Sequence, residues 1–296
     1  MMRVRRALVF VLLLQTLLVF GCARREAARD LQNGVDAFQQ ERWNDAATFF
    51  TLAEEKRPGQ VPVLMLRGIC YLKLARYTEA AADFDRVLTF QTENNEARKG
   101  RGEAFLGLGR YAEAAEDFSR ALTVEPSDVN TLNNRGFALS NLEDFDAAMA
   151  DFDAALKIEP ENPLVYYNRS AVRRKSGQTA EALEDLNRCV ELDGTNALFL
   201  ATRGKVTAEL GDWDRAMDDF NRAVAENPNY FGGFKFRAEG YKARGQWQEA
   251  YDDYSRAIEL QPNDPELWFD RAAAAMQLGH EDDYDRDMAK YEELTR

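Results

Sequence analysis

From residue 27 onward the sequence falls back into phase with itself every 34 residues, with no insertion or deletion. Pro160 marks the phase. Steps of 34 from it land on Pro58, Thr92, Pro126, Gly194, Pro228 and Pro262. A fixed period of this length is the signature of a repeat architecture in which each unit is one supersecondary element. The units are 27–60, 61–94, 95–128, 129–162, 163–196, 197–230, 231–264 and 265–296. Each predicts two helices, at places 1–14 and 18–31, with Gly109, Gly177, Gly211, Gly245 or Gly279 in the turn of five repeats.

The pattern inside the unit explains the repetition. Place 8 is small throughout: Gly34, Gly68, Gly102, Gly136, Ser170, Gly204, Ala238, Ala272. Place 20 is Ala in the first seven repeats (Ala46, Ala80, Ala114, Ala148, Ala182, Ala216, Ala250), and place 24 is bulky (Phe50, Phe84, Phe118, Phe152, Leu186, Phe220, Tyr254, Met288). Small residues on facing helices allow close approach, and the bulky residue fills the seam. Two charged places vary together. Place 7 is Arg67, Arg101, Arg135, Arg169, Arg203, Arg237 and Arg271; place 23 is Asp83, Asp117, Asp151, Asp185, Asp219, Asp253 and Asp287. The first repeat has Asn33 and Phe49 instead, so both charges disappear at once. A partly buried structural Arg–Asp bridge is expected in each of seven repeats.

Leu132, Gly136, Leu139, Phe145, Ala148, Phe152, Ala155 and Pro160 of the fourth repeat resemble the tetratricopeptide repeat, and the resemblance runs over 27–296. It implies an all-α fold: a right-handed superhelical solenoid of eight helix–turn–helix repeats. Several repeats depart from the pattern. Place 4 is Asp30 in the first and Arg98 in the third. Place 11, usually aromatic or Leu, is Arg173 in the fifth and Thr207 in the sixth, and Thr179 takes an aromatic place in the fifth. The seams around repeats 5 and 6 are therefore expected to be looser or more polar. In the eighth repeat Tyr284 replaces the small residue at place 20, and its second helix is expected to be the polar cap of the array.

Formal net charge is −13; setting aside Arg3, Arg5 and Arg6 leaves 35 basic against 51 acidic residues, or −16. Such a surface repels nucleic acid, so no nucleic-acid partner is expected. Residues 1–21 read as a cleaved signal peptide: three Arg, then an apolar run over 7–20 that is shorter than the about 20 residues a membrane span needs. Val19-Phe20-Gly21-Cys22 resembles a bacterial lipobox, which implies lipidation of Cys22 with a tether over 22–26; the alternative is an ordinary signal with a chance Cys. Ala23 after the Cys suggests the outer membrane, facing the periplasm. Arg24, Arg25 and Arg29 either touch anionic headgroups or are solvated. Cys70 and Cys189 lie in repeats too distant to pair and read as small buried hydrophobes. His280, the single His, reads as an exposed turn residue.

No phosphate loop, zinc-ligand cluster or nucleophile elbow occurs, so neither enzyme activity, a cofactor nor a metal is expected. By the resemblance, places 2, 5, 9, 12 and 13 of the first helices line a groove. In repeats 1 and 2 these are largely apolar (Leu31, Val35, Phe38, Met65, Ile69, Leu72). Later ones include Asn130, Asn133, Phe137, Tyr167, Arg174, Lys175, Lys205, Lys235 and Lys242, with Glu209 and Glu239 among them. This stretch either binds an acidic or carboxylate-ended peptide or is solvated and offset by the acids. The expected function is a membrane-anchored scaffold or adaptor for protein or peptide partners in the bacterial cell envelope. Alternatives are a carrier or sensor of a small anionic ligand in the groove, or a regulatory subunit of an envelope enzyme.

Overall fold

The computed structural model describes residues 22–296. The expected signal peptide at 1–21 and the thiol of Cys22 lie outside the described residues. The described chain is all-α, with sixteen helices that pair in sequence order and form two compact units, one ending at Ile158 and the other Glu159–Arg296. The first unit carries α1 (Cys22–Gln39), α2 (Trp43–Lys56), α3 (Val61–Lys73), α4 (Tyr77–Phe90), α5 (Asn95–Gly107), α6 (Tyr111–Val124), α7 (Val129–Asn141) and α8 (Phe145–Ile158). The second carries α9 (Pro163–Lys175), α10 (Thr179–Leu192), α11 (Ala197–Glu209), α12 (Trp213–Glu226), α13 (Phe231–Ala243), α14 (Trp247–Leu260), α15 (Pro265–Leu278) and α16 (Glu281–Thr295). Every 34-residue repeat contributes one pair. Helix α1 starts at Cys22, so residues 22–26, expected as a tether, are helical. None of the described helices is long and apolar enough to cross a membrane.

Side chains at the repeat boundaries start the helices. Asn94 and Asp128 accept from the amides of Ala97 and Thr131, at 2.9 and 3.0 Å, and Asn162, Asn196 and Asp264 do the same for α9, α11 and α15. Each satisfies an amide that the first turn leaves without a partner. The turn inside every repeat passes through the left-handed region at place 15. Five repeats meet it with the expected Gly; the other three use Glu41, Ala75 and Glu143, at φ 58°, 55° and 62°.

The core is a ladder of place-24 rings. Phe50, Phe84, Phe118, Phe152 and Phe220 are buried, each against the place-8 Gly of its own repeat. A Cβ on Gly68, Gly136 or Gly204 would stand 2.8, 2.8 or 2.5 Å from the ring it faces. Where place 8 is larger, the ring changes: Ser170 goes with Leu186 and Ala238 with Tyr254. Tyr254 keeps a hydroxyl that is buried without a hydrogen-bond partner.

The departures at place 4 have local explanations. Asp30 is buried and bridges Lys56 at 2.6 Å. Arg98 donates to the carbonyl of Thr92, the residue that replaces Pro at the preceding boundary. Tyr166 and Trp268, also at place 4, donate to the carbonyls of Pro160 and Pro262 at 3.1 and 2.9 Å. Arg98 thus performs in the third repeat what an aromatic donor performs in the fifth and eighth.

Candidate functional site

Two kinds of place are separable in the molecule, those that hold the repeats together and those that vary. The Arg–Asp places belong to the first. Arg67 reaches Asp83 through both Nε and Nη2 at 2.7 Å, and Arg271 reaches Asp287 in the same two-pronged way. Arg101–Asp117, Arg135–Asp151, Arg169–Asp185, Arg203–Asp219 and Arg237–Asp253 repeat the geometry, with bonds between 2.6 and 3.0 Å. The aspartates are buried, and their hydrogen bonds hold Arg67, Arg101, Arg135, Arg203 and Arg237 above the ordinary arginine value.

The remaining Arg nitrogen has a partner the sequence reading missed. Nη1 of Arg67, Arg101 and Arg135 donates to Thr51, Asp85 and Ser119, and Nη1 of Arg203, Arg237 and Arg271 donates to Asn187, Asn221 and Ser255. All six acceptors occupy place 25 of the preceding repeat. Each of these six clamps closes its own repeat and also ties it to the one before. A short acceptor at place 25 was visible in the period, but it is charged in only some repeats, so the charge correlation that exposed places 7 and 23 passed over it.

The groove residues behave differently from the expectation. Leu31 and Val35 belong to the buried core, with Phe38, Met65, Ile69 and Leu72 packed against it half-exposed. Asn133 is also buried, whereas Asn130 is exposed and Phe137 is 40% exposed, edge-on to Tyr111. The basic stretch is largely neutralised by its own neighbours. Lys235 bridges Glu266 at 2.7 Å, Lys242 bridges Asp270 at 2.7 Å, and Arg174 lies 3.3 Å from Glu209. Lys205 forms no ion pair among the described residues; its ammonium sits 4.8 Å from the centre of the Phe236 ring. Lys175 is exposed and Tyr167 packs on Phe199. Burial holds the Glu239 carboxyl above the usual range despite the nearby Lys205 and Lys235. Cations and acids are therefore mixed along this stretch. The acids that neutralise Lys235 and Lys242 come from the next repeat, 31 and 28 residues on, where the sequence reading did not look.

Place 11 differs most between repeats. In the second and third, Tyr71 and Phe105 lie beneath the clamp arginines Arg67 and Arg101 at 5.8 and 5.7 Å, and each is also covered by Arg76 or Arg110 at 4.4 and 4.3 Å. Arg237 has Tyr241 at 5.9 Å. In the fourth repeat Leu139 takes the place, and in the fifth Arg173 turns in to bridge Asp185 at 3.0 Å. The eighth has Ala275, and Tyr251 from place 21 of the repeat before supplies the ring, 5.4 Å from Arg271. The sixth repeat has none of these. Thr207 is short, its predecessor offers Leu183 at place 21, and a cavity of about 700 Å³ opens beside Arg203, with Asn187, Arg215, Asp218, Asn221 and Arg222 around it. The expected looseness around repeats 5 and 6 is realised here.

Cys70 and Cys189 are buried free thiols whose pKa burial pushes up to about 12, so neither is poised as a nucleophile. His280 stands exposed at the start of α16, edge-on to Tyr251. Among the described residues no three His, Cys, Asp or Glu side chains are grouped to hold a metal ion.

Comparison with known families matches tetratricopeptide repeat models over 31–96, 90–130, 99–163, 133–197 and 167–231, and a TPR repeat model over 239–279. Among solved structures, a tetratricopeptide repeat protein from Parabacteroides merdae is similar, with a TM-score of 0.72 at 17% identity, covering 84% of this chain and 99% of that one. The hetero-tetramer Cut9–Hcn1 of APC/C gives 0.67 at 16% identity over 88% of this chain and 52% of its own. At such identity the likeness is one of fold. No curated protein matches the sequence.

Proposed function

The chain belongs to the tetratricopeptide repeat family, and we propose that it is a scaffold for protein partners, held at a bacterial envelope membrane by a lipid on Cys22. One observation carries the binding role. The places that hold the fold are nearly constant, whereas place 9 on the first helices, buried in the first repeat at Val35, runs Ile69, Glu103, Phe137, Ala171, Lys205, Glu239 and Ala273 in the others. A stack needs its seams to repeat, but a surface that reads a non-repeating partner needs each unit to differ. Within the second unit, the partly exposed Lys205 and the exposed Lys175 at place 13 offer cationic contacts to an extended peptide. The pairing of Lys235 and Lys242 with acids favours a partner of mixed charge over a small anion.

The anchor rests on the sequence of residues 1–22: a basic start, a short apolar run and a Cys preceded by a small residue. Two or three acyl chains there would make membrane attachment durable. The test joins both parts. Wild type, Cys22→Ser and Lys175→Glu/Lys205→Glu are expressed in a bacterial host, cross-linked in cells and fractionated. The reading expects discrete cross-linked proteins with wild type, release of Cys22→Ser from the membrane fraction, and loss of one or more adducts with the charge variant. Wild type in the soluble fraction would sink the anchor, and the absence of any adduct would sink the scaffold.

A further inference from the structure

We propose that the cavity beside Thr207 is a docking slot for a tyrosine side chain of a partner protein, the ring of which takes the position that Tyr71 holds in the second repeat; this rests on the scaffold reading. The molecule itself supplies the template. The ring of Tyr71 lies beside the clamp Arg67, and its hydroxyl is 3.5 Å from Thr51, the place-25 residue of the preceding repeat. The residues at those two places in the sixth repeat are Arg203 and Asn187, and both line the cavity. Among the described residues, no ring stacks on Arg203.

The surrounding chemistry fits this occupant. Thr207 is buried beside the cavity and donates its hydroxyl to the carbonyl of Arg203, at 2.8 Å. Leu183 gives one apolar contact in a lining that also includes Arg215, Asp218 and Arg222. Arg203 spends its nitrogens on Asp219 and Asn187, which fixes the guanidinium plane and leaves its face for stacking. Asn187 is exposed at the mouth, where a phenol hydroxyl would meet it as Tyr71 meets Thr51.

The experiment is a titration of the full chain with the peptide acetyl-Gly-Ser-Tyr-Ser-Gly-amide, read by NMR at the Nε–H of Arg203 and the amides of Leu183 and Thr207. A second peptide has Leu in place of Tyr. Two variants close the slot with the molecule's own solutions: Thr207→Tyr, as in the second repeat, and Leu183→Tyr, as Tyr251 does for the eighth. Circular dichroism confirms that each is folded. We expect a saturable shift with wild type, roughly fivefold weaker binding of the Leu peptide, and no saturable shift with either folded variant. No saturable shift with wild type, equal binding of the two peptides, or unchanged binding by both variants would overturn the slot. Cross-linked partners retained by Thr207→Tyr would overturn it as their docking site while leaving the scaffold reading intact; the absence of partners with wild type would count against the scaffold alone.

Discussion

Repeats 2 and 6 carry the same clamp and differ in what lies under it. In the second, Tyr71 covers Arg67, and the Arg and Asp83 side chains are 11% and 5% exposed. In the sixth, Thr207 leaves Arg203 beside a cavity, and the Arg side chain is 20% exposed while Asp219 stays at 6%. The bidentate geometry is nearly the same in both. The clamp therefore does not need the ring in order to form. The dryness of the clamp differs between these two repeats but does not follow the ring alone, since Arg101 beside Phe105 and Arg237 beside Tyr241 are 21% and 19% exposed.

The largest expected effect breaks the comparison at the clamp. Asp83→Ala strands Arg67 in a dry seam and should cost roughly 3–5 kcal/mol in urea unfolding. Asp219→Ala leaves Arg203 next to an open cavity that water can enter and should cost less, by at least about 1 kcal/mol. Equal losses would mean that the exposure of the stranded Arg, 11% against 20%, does not set the cost. Next comes the exchange of the rings themselves. Tyr71→Thr should lose roughly 2–4 kcal/mol through the cavity it opens. A smaller effect concerns the place-24 ladder that both repeats share. Gly68→Ala and Gly204→Ala should each cost about 1–3 kcal/mol, because the new methyl meets Phe84 or Phe220 at under 3 Å. Removing the Tyr254 hydroxyl restores the Phe found at this place in five other repeats. Tyr254→Phe should gain about 1 kcal/mol by eliminating an unsatisfied buried group. Smallest are the turns. Ala75→Gly in repeat 2 should stabilise by about 0.5 kcal/mol, and Gly211→Ala in repeat 6 should destabilise by about 1 kcal/mol, since both sit at positive φ. Thermal midpoints of the pair check the sign.

Much of this was legible because a repeat protein prints the same experiment eight times. Gly at place 8 opposite Phe at place 24, and the joint loss of Arg and Asp in the first repeat, fix which helix faces meet. Helix pairs and the family follow from that. Residues that act across repeats were harder to read. The place-25 acceptors alternate among Thr, Asp, Ser and Asn, so no single residue type announces them. Lys235 and Lys242 were read by their own charge, and the acids that pair with them come from the following helix. Asn133 and Val35 were assigned to a surface by their place number, but they are buried. Thr207 was noticed as a departure. That it opens a cavity, while Ala275 does not leave its arginine bare, reflects Leu183 and Leu200 in the sixth seam against Tyr251 and Trp268, which lie 5.4 and 5.1 Å from Arg271. Only the packed structure brings those places together.

The central claim is that repeat 6 lacks a ring that its own clamp is shaped to hold. The most direct measurement is the urea unfolding of Thr207→Tyr beside wild type, with hydrogen exchange locating the change to α10–α12. The account predicts a gain of about 1 kcal/mol, with slower exchange in those helices as the new ring fills the space beside Arg203. A loss of stability there would contradict it, because it would show that the space beside Thr207 is not shaped for the ring that Tyr71 supplies in repeat 2.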